Sequence, residues 1–205
     1  MGRLKTPLAT LALLLLCSAA AQTAKADPVS FNTTGVFSAS GTNTAAFTNA
    51  NGTTTLTFNG TSNNIFTPAG VQFGDILATS TVPPGQAGPA ITGTFTLNIF
   101  QTLPTAGSGS LVGTLSGTLG FNSGIATLSF AQTSLVINGF TYTVNQTYTI
   151  ALPSTGSGGS AGIGTTTLQG TVTGSAVPEP ATLLLLGTGL SGVAGAARRR
   201  RRARQ

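Results

Sequence analysis

Through the middle of the chain, apolar and polar side chains alternate with a period of two, which is the pattern of a β-strand that buries one face. From Phe140 to Ile150 every even position except Gln146 is Phe, Tyr, Val or Ile, and the odd positions are Thr or Asn. Ile91–Ile99 alternates in the same way. We predict a strand over each of these two ranges, and shorter strands over 55–58 and 126–130.

Turn residues separate these stretches. Asn138-Gly139 lies between Leu135–Ile137 and the strand that begins at Phe140, and both of its residues tolerate positive φ, so it predicts a hairpin. Asn51-Gly52 and Asn59-Gly60 predict two further turns. About eight to ten short strands at this spacing predict an all-β fold, a Thr- and Gly-rich antiparallel β-sandwich.

Three further segments lack a clean alternation. Leu111, Leu115 and Leu119 have the spacing of a helix face, but the glycines and β-branched threonines between them favour a strand. Pro83-Pro84-Gly85 and Ser154–Gly164 are rich in residues that break regular structure, so both predict loops.

Charge is confined to the two ends of the chain. The 205 residues carry a formal net charge of +6, yet only 6% of them are charged. From Asp27 to Val177 there is no Lys, Arg or His. The single cysteine, Cys17, can form no intramolecular disulfide. The middle of the chain must therefore be stabilised by a hydrogen-bonded sheet and by apolar burial.

This composition argues against an enzyme. A glycosidase needs two carboxylates beside the scissile bond, and a Ser or Thr nucleophile needs a base. The middle of the chain offers Asp27, close to a terminus, and the isolated Asp75. We expect no catalytic residue, no cofactor and no metal site, since calcium requires a cluster of carboxylates and carbonyls. Asp75 is expected to be a turn residue or a hydrogen-bonded one.

Residues 1–26 have the three parts of a secretory signal peptide. Arg3 and Lys5 make a positive start, Leu8–Ala21 is apolar, and small residues follow. The positive end stays at the cytoplasmic face while the short apolar run enters the translocon. We predict export through the Sec translocon and removal of this segment, with Cys17, by signal peptidase. The alternative is a buried N-terminal helix.

Cleavage is predicted before Asp27, because Ala24 and Ala26 occupy the −3 and −1 positions of a cleavage site. Ala19-Ala20-Ala21 is a second possible site. The predicted extracytoplasmic β domain is then 27–176.

The other end of the chain combines a motif, an apolar run and a basic cluster. Val177-Pro178-Glu179-Pro180 precedes seventeen uncharged residues, 181–197, which are at the short end of what can span a bilayer. Arginines directly behind such a run stay in the cytoplasm by the positive-inside rule. We predict a transmembrane helix over 181–197 and a cytoplasmic tail over 198–205. The stop-transfer cluster is Arg198, Arg199, Arg200, Arg201 and Arg202.

Two other interpretations of this end are a nuclear-localisation or nucleic-acid-binding patch for the arginines and a core helix for the leucines. Charge immediately behind an apolar run is what stops translocation, so the membrane is the favoured partner. No nucleic-acid partner is expected.

In this order, the three parts resemble the PEP-CTERM sorting signal of Gram-negative bacteria, a tail also described as the C-terminal domain of some ice-binding proteins. The resemblance covers 177–205. It implies recognition by a membrane-embedded exosortase, which cleaves the tail and attaches the protein to a surface glycan. It also implies a single-pass membrane precursor, a mature form at the cell surface or in the extracellular matrix, and a link to exopolysaccharide or biofilm production. The middle of the chain is similar to Thr- and Gly-rich surface domains carried on such tails.

We therefore expect a non-catalytic surface or extracellular-matrix protein. The alternative is a carbohydrate- or ice-binding module, with extracellular polysaccharide as a partner. Tyr142 and Tyr148 have the rings to stack on sugars, but they share the apolar face of their strand, so core packing is preferred. Thr-x-Thr pairs resemble flat ice-binding arrays, but no fixed repeat places them in one plane, and the strand propensity of Thr explains them. These pairs lie at 92–96, 141–143, 147–149 and 171–173.

Overall fold

The structure is a computed structural model that describes residues 27–121, 124–152 and 162–174, together with Gly189 and Gly192. The strands lie in one compact unit, Ala26–Ser175. In chain order they are β1 (Pro28–Phe37), β2 (Thr44–Asn49), β3 (Gly52–Asn59), β4 (Ser62–Phe66), β5 (Ala69–Ser80), β6 (Gly93–Leu103), β7 (Gly107–Gly117), β8 (Ala126–Phe130), β9 (Ser134–Ile137), β10 (Phe140–Val144), β11 (Thr147–Ile150) and β12 (Gly162–Gly174).

These strands form two curled sheets, and the all-β class predicted from the alternation is confirmed. The first sheet has the order β11-β8-β7-β6-β1-β4, and the second has the order β2-β3-β5-β12-β10-β9. Every pairing within the sheets is antiparallel. The long strands β5 and β12 pair at the centre of the second sheet.

The two sheets share one core of buried apolar side chains. Burial alternates residue by residue along β6, for example. Rings from opposite sheets meet in this core. Phe31 of β1 packs edge-on against Tyr142 of β10 with ring centroids 5.3 Å apart, and Phe58 of β3 lies 5.1 Å from Phe95 of β6. Within the described part of the chain, every buried side-chain nitrogen or oxygen has a hydrogen-bond partner.

A β-bulge interrupts the pairing of β5 with β12. The register shifts between Leu168 and Gln169, opposite Gly74. Gly74 has a φ of 130°, and a Cβ there would lie 2.5 Å from the Phe58 ring. Glycine therefore supplies both the backbone conformation and the close approach that the bulge requires. The next residue, Asp75, is half-buried on the outer face of the second sheet.

The prediction of a single strand over Phe140–Ile150 is wrong, because the chain crosses from one sheet to the other within it. β10 belongs to the second sheet and β11 to the first. At the crossing the Asn145 N–H donates to the Tyr148 hydroxyl oxygen at 2.9 Å, and the Gln146 carbonyl accepts from the Phe130 N–H at 2.8 Å. Even positions face the shared core both before and after the crossing, so the alternation of apolar and polar residues continues through it. Gln146 is the only residue that departs from this alternation.

The other predicted strands are confirmed with small shifts. β3 and β8 contain the two short predicted strands, and β7 contains Leu111 and Leu115, with Leu119 buried beyond its end. β6 begins two residues after Ile91, which is also buried. The described residues form twelve strands, not about eight to ten, in part because the crossing divides one predicted strand into two.

The predicted turns differ in what they connect. Asn138 and Gly139 have φ values of 48° and 84° and close the β9–β10 hairpin, as predicted. Gly52 is already the first residue of β3 and pairs with Asn49, so that turn lies one residue earlier than predicted. Asn59-Gly60 closes no hairpin, since it joins β3 in the second sheet to β4 in the first.

The two predicted loops have different outcomes. Pro83-Pro84-Gly85 lies in the loop between β5 and β6. The last three residues of the predicted loop Ser154–Gly164 belong instead to β12, and 153–161 lie outside the described residues.

Candidate functional site

The two ends of the β domain meet at Thr67. The backbone N–H of Thr67 donates to the Asp27 carbonyl at 3.1 Å, and its hydroxyl donates to the same oxygen at 3.4 Å. At the other end of the domain, a Cβ added to Gly174 would lie 3.0 Å from Thr67 Oγ1. The predicted start of the exported protein and the last described residue before the tail therefore adjoin the same buried threonine.

Two neighbouring turns brace this end of the domain. Asn138, in the β9–β10 turn, donates through Nδ2 to the carbonyls of Thr105 and Ala106 at 3.0 and 3.2 Å. The Tyr142 hydroxyl donates to Gln101 Oε1 at 2.8 Å, and Gln101 Nε2 donates to the Thr105 carbonyl at 2.9 Å. The hairpin of the second sheet is thus fixed to the β6–β7 turn of the first.

Large apolar side chains lie exposed on the outer face of the first sheet at this end. Phe66 of β4 is 67% exposed, Leu103 of β6 is 50% exposed and Phe100 of β6 is 39% exposed. Phe66 is opposite Pro28 and Leu103 is opposite Ser30, so both flank the first residues of β1. We call Phe66, Phe100 and Leu103 the apolar patch.

Asp75 lies within β5 and not in a turn, so the turn interpretation is wrong and the hydrogen-bond interpretation is confirmed. Its Oδ1 accepts from the Thr167 hydroxyl at 2.6 Å, and its Oδ2 accepts from Gln72 Nε2 at 2.7 Å. Both oxygens are thus engaged with neutral side chains. In the ranges that the structure describes, no group of three His, Cys, Asp or Glu residues could hold a metal ion.

Tyr142 and Tyr148 are both core residues, as preferred from the sequence, with 0% and 6% of their surfaces exposed. The Tyr148 hydroxyl donates to the Gln169 carbonyl. Burial raises the pKa of the Tyr142 hydroxyl to about 12. Burial also raises the pKa of Tyr148, against a smaller lowering by the hydrogen bond from Asn145. Neither ring is available to stack on a sugar.

The Thr-x-Thr pairs are divided between the outer faces of the two sheets. The pairs at 141–143 and 171–173 lie side by side on the second sheet, with Thr141 opposite Thr173 and Thr143 opposite Thr171. The pairs at 92–96 and 147–149 belong to β6 and β11 of the first sheet, except that Thr92 directly precedes β6. Of the predicted pairs, only those of β10 and β12 lie side by side on one face.

The predicted processing signals fall outside the described residues. These signals are the segment 1–26 with Ala24 and Ala26, the motif Val177–Pro180, the apolar run 181–197 apart from Gly189 and Gly192, and the cluster Arg198–Arg202. Among the residues that the structure describes, no helix has both the length and the apolar character to cross a bilayer.

The comparison with known families identifies the tail. Residues 176–202 match the family model of the PEP-CTERM protein-sorting motif. This tail is a PEP-CTERM sorting motif. The match includes the predicted motif 177–180 and ends at Arg202, the last residue of the predicted stop-transfer cluster. A PEP-CTERM motif implies an exported, membrane-processed surface protein that an exosortase targets.

No curated protein and no solved structure matches the chain significantly. The role of the β domain in front of the PEP-CTERM tail must therefore be argued from its own residues.

Sequence reasoning missed the surface around Thr67 and Gly174, the last described residue before the PEP-CTERM tail. Thr67, Gln101 and the apolar patch carry no motif. Ile65 and Phe66 are adjacent apolar residues in a short edge strand, and no alternation indicates which of them is buried. The signal that remains is an aromatic residue beside a Thr-Pro turn, which is too common to identify a site.

Proposed function

We propose that the chain is a non-catalytic surface or extracellular-matrix protein of a Gram-negative bacterium, which an exosortase processes at its PEP-CTERM tail. The observation that carries the proposal is the family match over 176–202. The Sec translocon and signal peptidase would act on residues 1–26, and 181–197 would span the inner membrane once with Arg198–Arg202 in the cytoplasm. The β domain would then face outward.

A non-catalytic role is supported by what the domain can offer chemically. Residues 27–176 have no Lys, Arg, His or Cys. The Asp75 carboxylate accepts hydrogen bonds from Thr167 and Gln72. His, Lys and Cys, which commonly act as the general acid or base, are absent from this range. The domain is accordingly proposed to act by its surface, in exopolysaccharide or biofilm matrix.

Glu179 is the residue by which the exosortase would recognise the tail. Proline fixes φ and restricts the residue before it, so the sequence Pro178-Glu179-Pro180 favours an extended backbone. An extended segment beside the membrane is accessible to a protease, and a carboxylate can pair strongly with an arginine of the enzyme. A membrane anchor alone would not need Glu179.

The test is Glu179→Ala in the full chain, with one tag before residue 176 and another after residue 205. We expect export and membrane insertion to remain and the uncleaved form to accumulate in the membrane. Glu179→Asp keeps the carboxylate and is the matched control, for which we expect processing to continue. Neutral residues in place of Arg198–Arg202 should weaken retention in the membrane before processing. Processing of Glu179→Ala at the parent rate would contradict the sorting role.

The second candidate function is a carbohydrate- or ice-binding module. It is favoured by the four threonines that pair across β10 and β12, because they put hydroxyl and methyl groups in register on one outer face. Thermal hysteresis or glycan-array binding by residues 27–176 would support it, provided that Thr143→Val with Thr171→Val abolishes the effect. A neighbouring gene cluster for an exosortase and polysaccharide synthesis would instead support the matrix role.

A further inference from the structure

We propose that the apolar patch rests on the lipid bilayer for as long as the PEP-CTERM tail remains in the membrane. This inference rests on the proposed function, since it takes residues 181–197 as the membrane-spanning segment. It adds a second contact with the membrane, made by the folded domain itself.

The length of the connecting chain brings the patch close to the membrane. Six residues, 175–180, separate Gly174 from the predicted span. Even fully extended, they hold Gly174 within about 25 Å of it. Gly174 adjoins Thr67, the residue that follows Phe66. The opposite end of β1 is about 30 Å away along the strand, so the Thr67 end of the domain reaches the bilayer most readily.

The chemistry of this end fits a lipid surface. Phenylalanine and leucine are side chains that bury into the boundary between headgroups and acyl chains. Water contact with Phe66 and Leu103 is correspondingly unfavourable, and each exposes half or more of its surface. No Lys or Arg lies between Asp27 and Val177, so attraction to anionic headgroups makes no contribution. The contact should therefore depend on apolar burial and not on lipid charge or salt.

Three partly exposed side chains are too few to hold a free domain on a membrane. A short tether changes this, because it raises the effective concentration of the bilayer at the patch to the millimolar range. The contact should accordingly exist in the anchored precursor and be lost when the tail is cleaved. While it lasts, it orients the domain with Asp27 and Gly174 toward the bilayer, which holds residues 177–180 at the membrane surface for the exosortase.

A fluorophore on a single cysteine can detect the contact, since residues 27–205 contain no cysteine of their own. Asn64→Cys places the label on β4 two residues before Phe66 and opposite Ser30, which also pairs with Leu103. Ser116→Cys places it on an exposed position near the far end of β7. Chain 27–205 is inserted into phosphatidylcholine vesicles. We expect blue-shifted emission and quenching by a lipid-borne quencher for the Asn64 label, and neither for the Ser116 label.

Substitutions at the patch separate a bilayer contact from a general effect of anchoring. Phe66→Ser with Leu103→Ser should return the Asn64 label to the emission of the Ser116 label without changing membrane insertion. Val112→Ser is the matched control, because Val112 is 50% exposed on the outer face of the same sheet, as Leu103 is. It should leave the signal unchanged, and so should anionic lipid.

Each other outcome has a defined meaning. If the chain is inserted and the Asn64 label is as accessible to an aqueous quencher as the Ser116 label, the inference is wrong and the proposed function stands. Protection that rises with protein concentration and ignores the lipid-borne quencher would assign the patch to a second copy of the chain, which also overturns the inference. A chain that stays out of the vesicle membrane contradicts the proposed span, and the inference with it.

Discussion

Tyr142 places a hydroxyl group inside the core, where it donates to Gln101 Oε1 at 2.8 Å. Gln101 is 2% exposed, and Tyr142 is fully buried. Tyr142→Phe leaves that oxygen without its donor in a site that water does not reach, so the free energy of unfolding should fall by about 1–3 kcal/mol. Urea denaturation of residues 27–176 at pH 7 measures the loss. A variant as stable as the parent would show that the hydrogen bond contributes nothing.

The same side chain makes stability depend on alkaline pH. An ordinary tyrosine has a pKa of 10.0, and burial raises the pKa of Tyr142 to about 12. The fold therefore favours the protonated hydroxyl, so this stabilisation is complete below pH 10 and is lost as the pH rises from 10 to 12, by about 1.4 kcal/mol per pH unit. Tyr142 and Tyr148 are the only side chains of 27–176 that titrate above pH 7, because Lys, Arg, His and Cys are absent there. Tyr142→Phe should remove part of the alkaline loss, and the variant that also carries Tyr148→Phe should remove the rest.

At the scale of strands, alternation predicts where a chain is extended and which positions are buried, but not which sheet a strand joins. β6, β8 and the hairpin at Asn138-Gly139 follow from local pattern and turn chemistry. The crossing between β10 and β11 does not, because both sheets bury the same parity of positions. Sheet order depends on pairings between strands far apart in sequence, such as that of β5 with β12.

The candidate site also has one part that the sequence predicts and one part that it does not. The PEP-CTERM tail is a contiguous motif, and the sequence predicts it directly. The surface around Thr67 is assembled from strands that are distant in sequence, with Pro28 opposite Phe66 and Ser30 opposite Leu103. No local signal brings these residues together.

Substitution of Asn138 in the β9–β10 turn measures how much a single connection between the sheets contributes to stability. Asn138 has a φ of 48° and donates to the carbonyls of Thr105 and Ala106. Asn138→Gly keeps the backbone conformation accessible and loses both hydrogen bonds. Asn138→Ala loses the same bonds and keeps a Cβ in the left-handed region, which alanine tolerates less well than asparagine or glycine. We expect both variants to unfold at lower urea concentration, the alanine variant by about 1 kcal/mol more. A glycine variant equal to the parent would mean that the side-chain bonds do not stabilise the connection.

At the scale of the whole molecule, Asp27, where the mature protein is predicted to begin, and Gly174, the last described residue before the tail, adjoin one end of the domain. Asp27 precedes β1 of the first sheet, and Gly174 is the last residue of β12 of the second sheet. Both residues adjoin Thr67. The core described above is formed by residues between Val29 and Val172, so we expect it to persist when 1–26 and the tail are removed. What such removal changes most is the net charge.

Net charge can follow processing step by step. The 205 residues carry +6, and removal of the three basic residues in 1–26 leaves +3. Removal of the six arginines of the tail together with Glu179 leaves −2, from Asp27 and Asp75. Isoelectric focusing should therefore find a basic form in the membrane and an acidic form at the surface, although the whole sequence has a pI near 10.9. In the Glu179→Ala variant the form that accumulates should be basic, one unit more positive than the anchored parent. A basic surface form would mean that the arginine cluster stays on the mature protein, and processing of the tail would be ruled out.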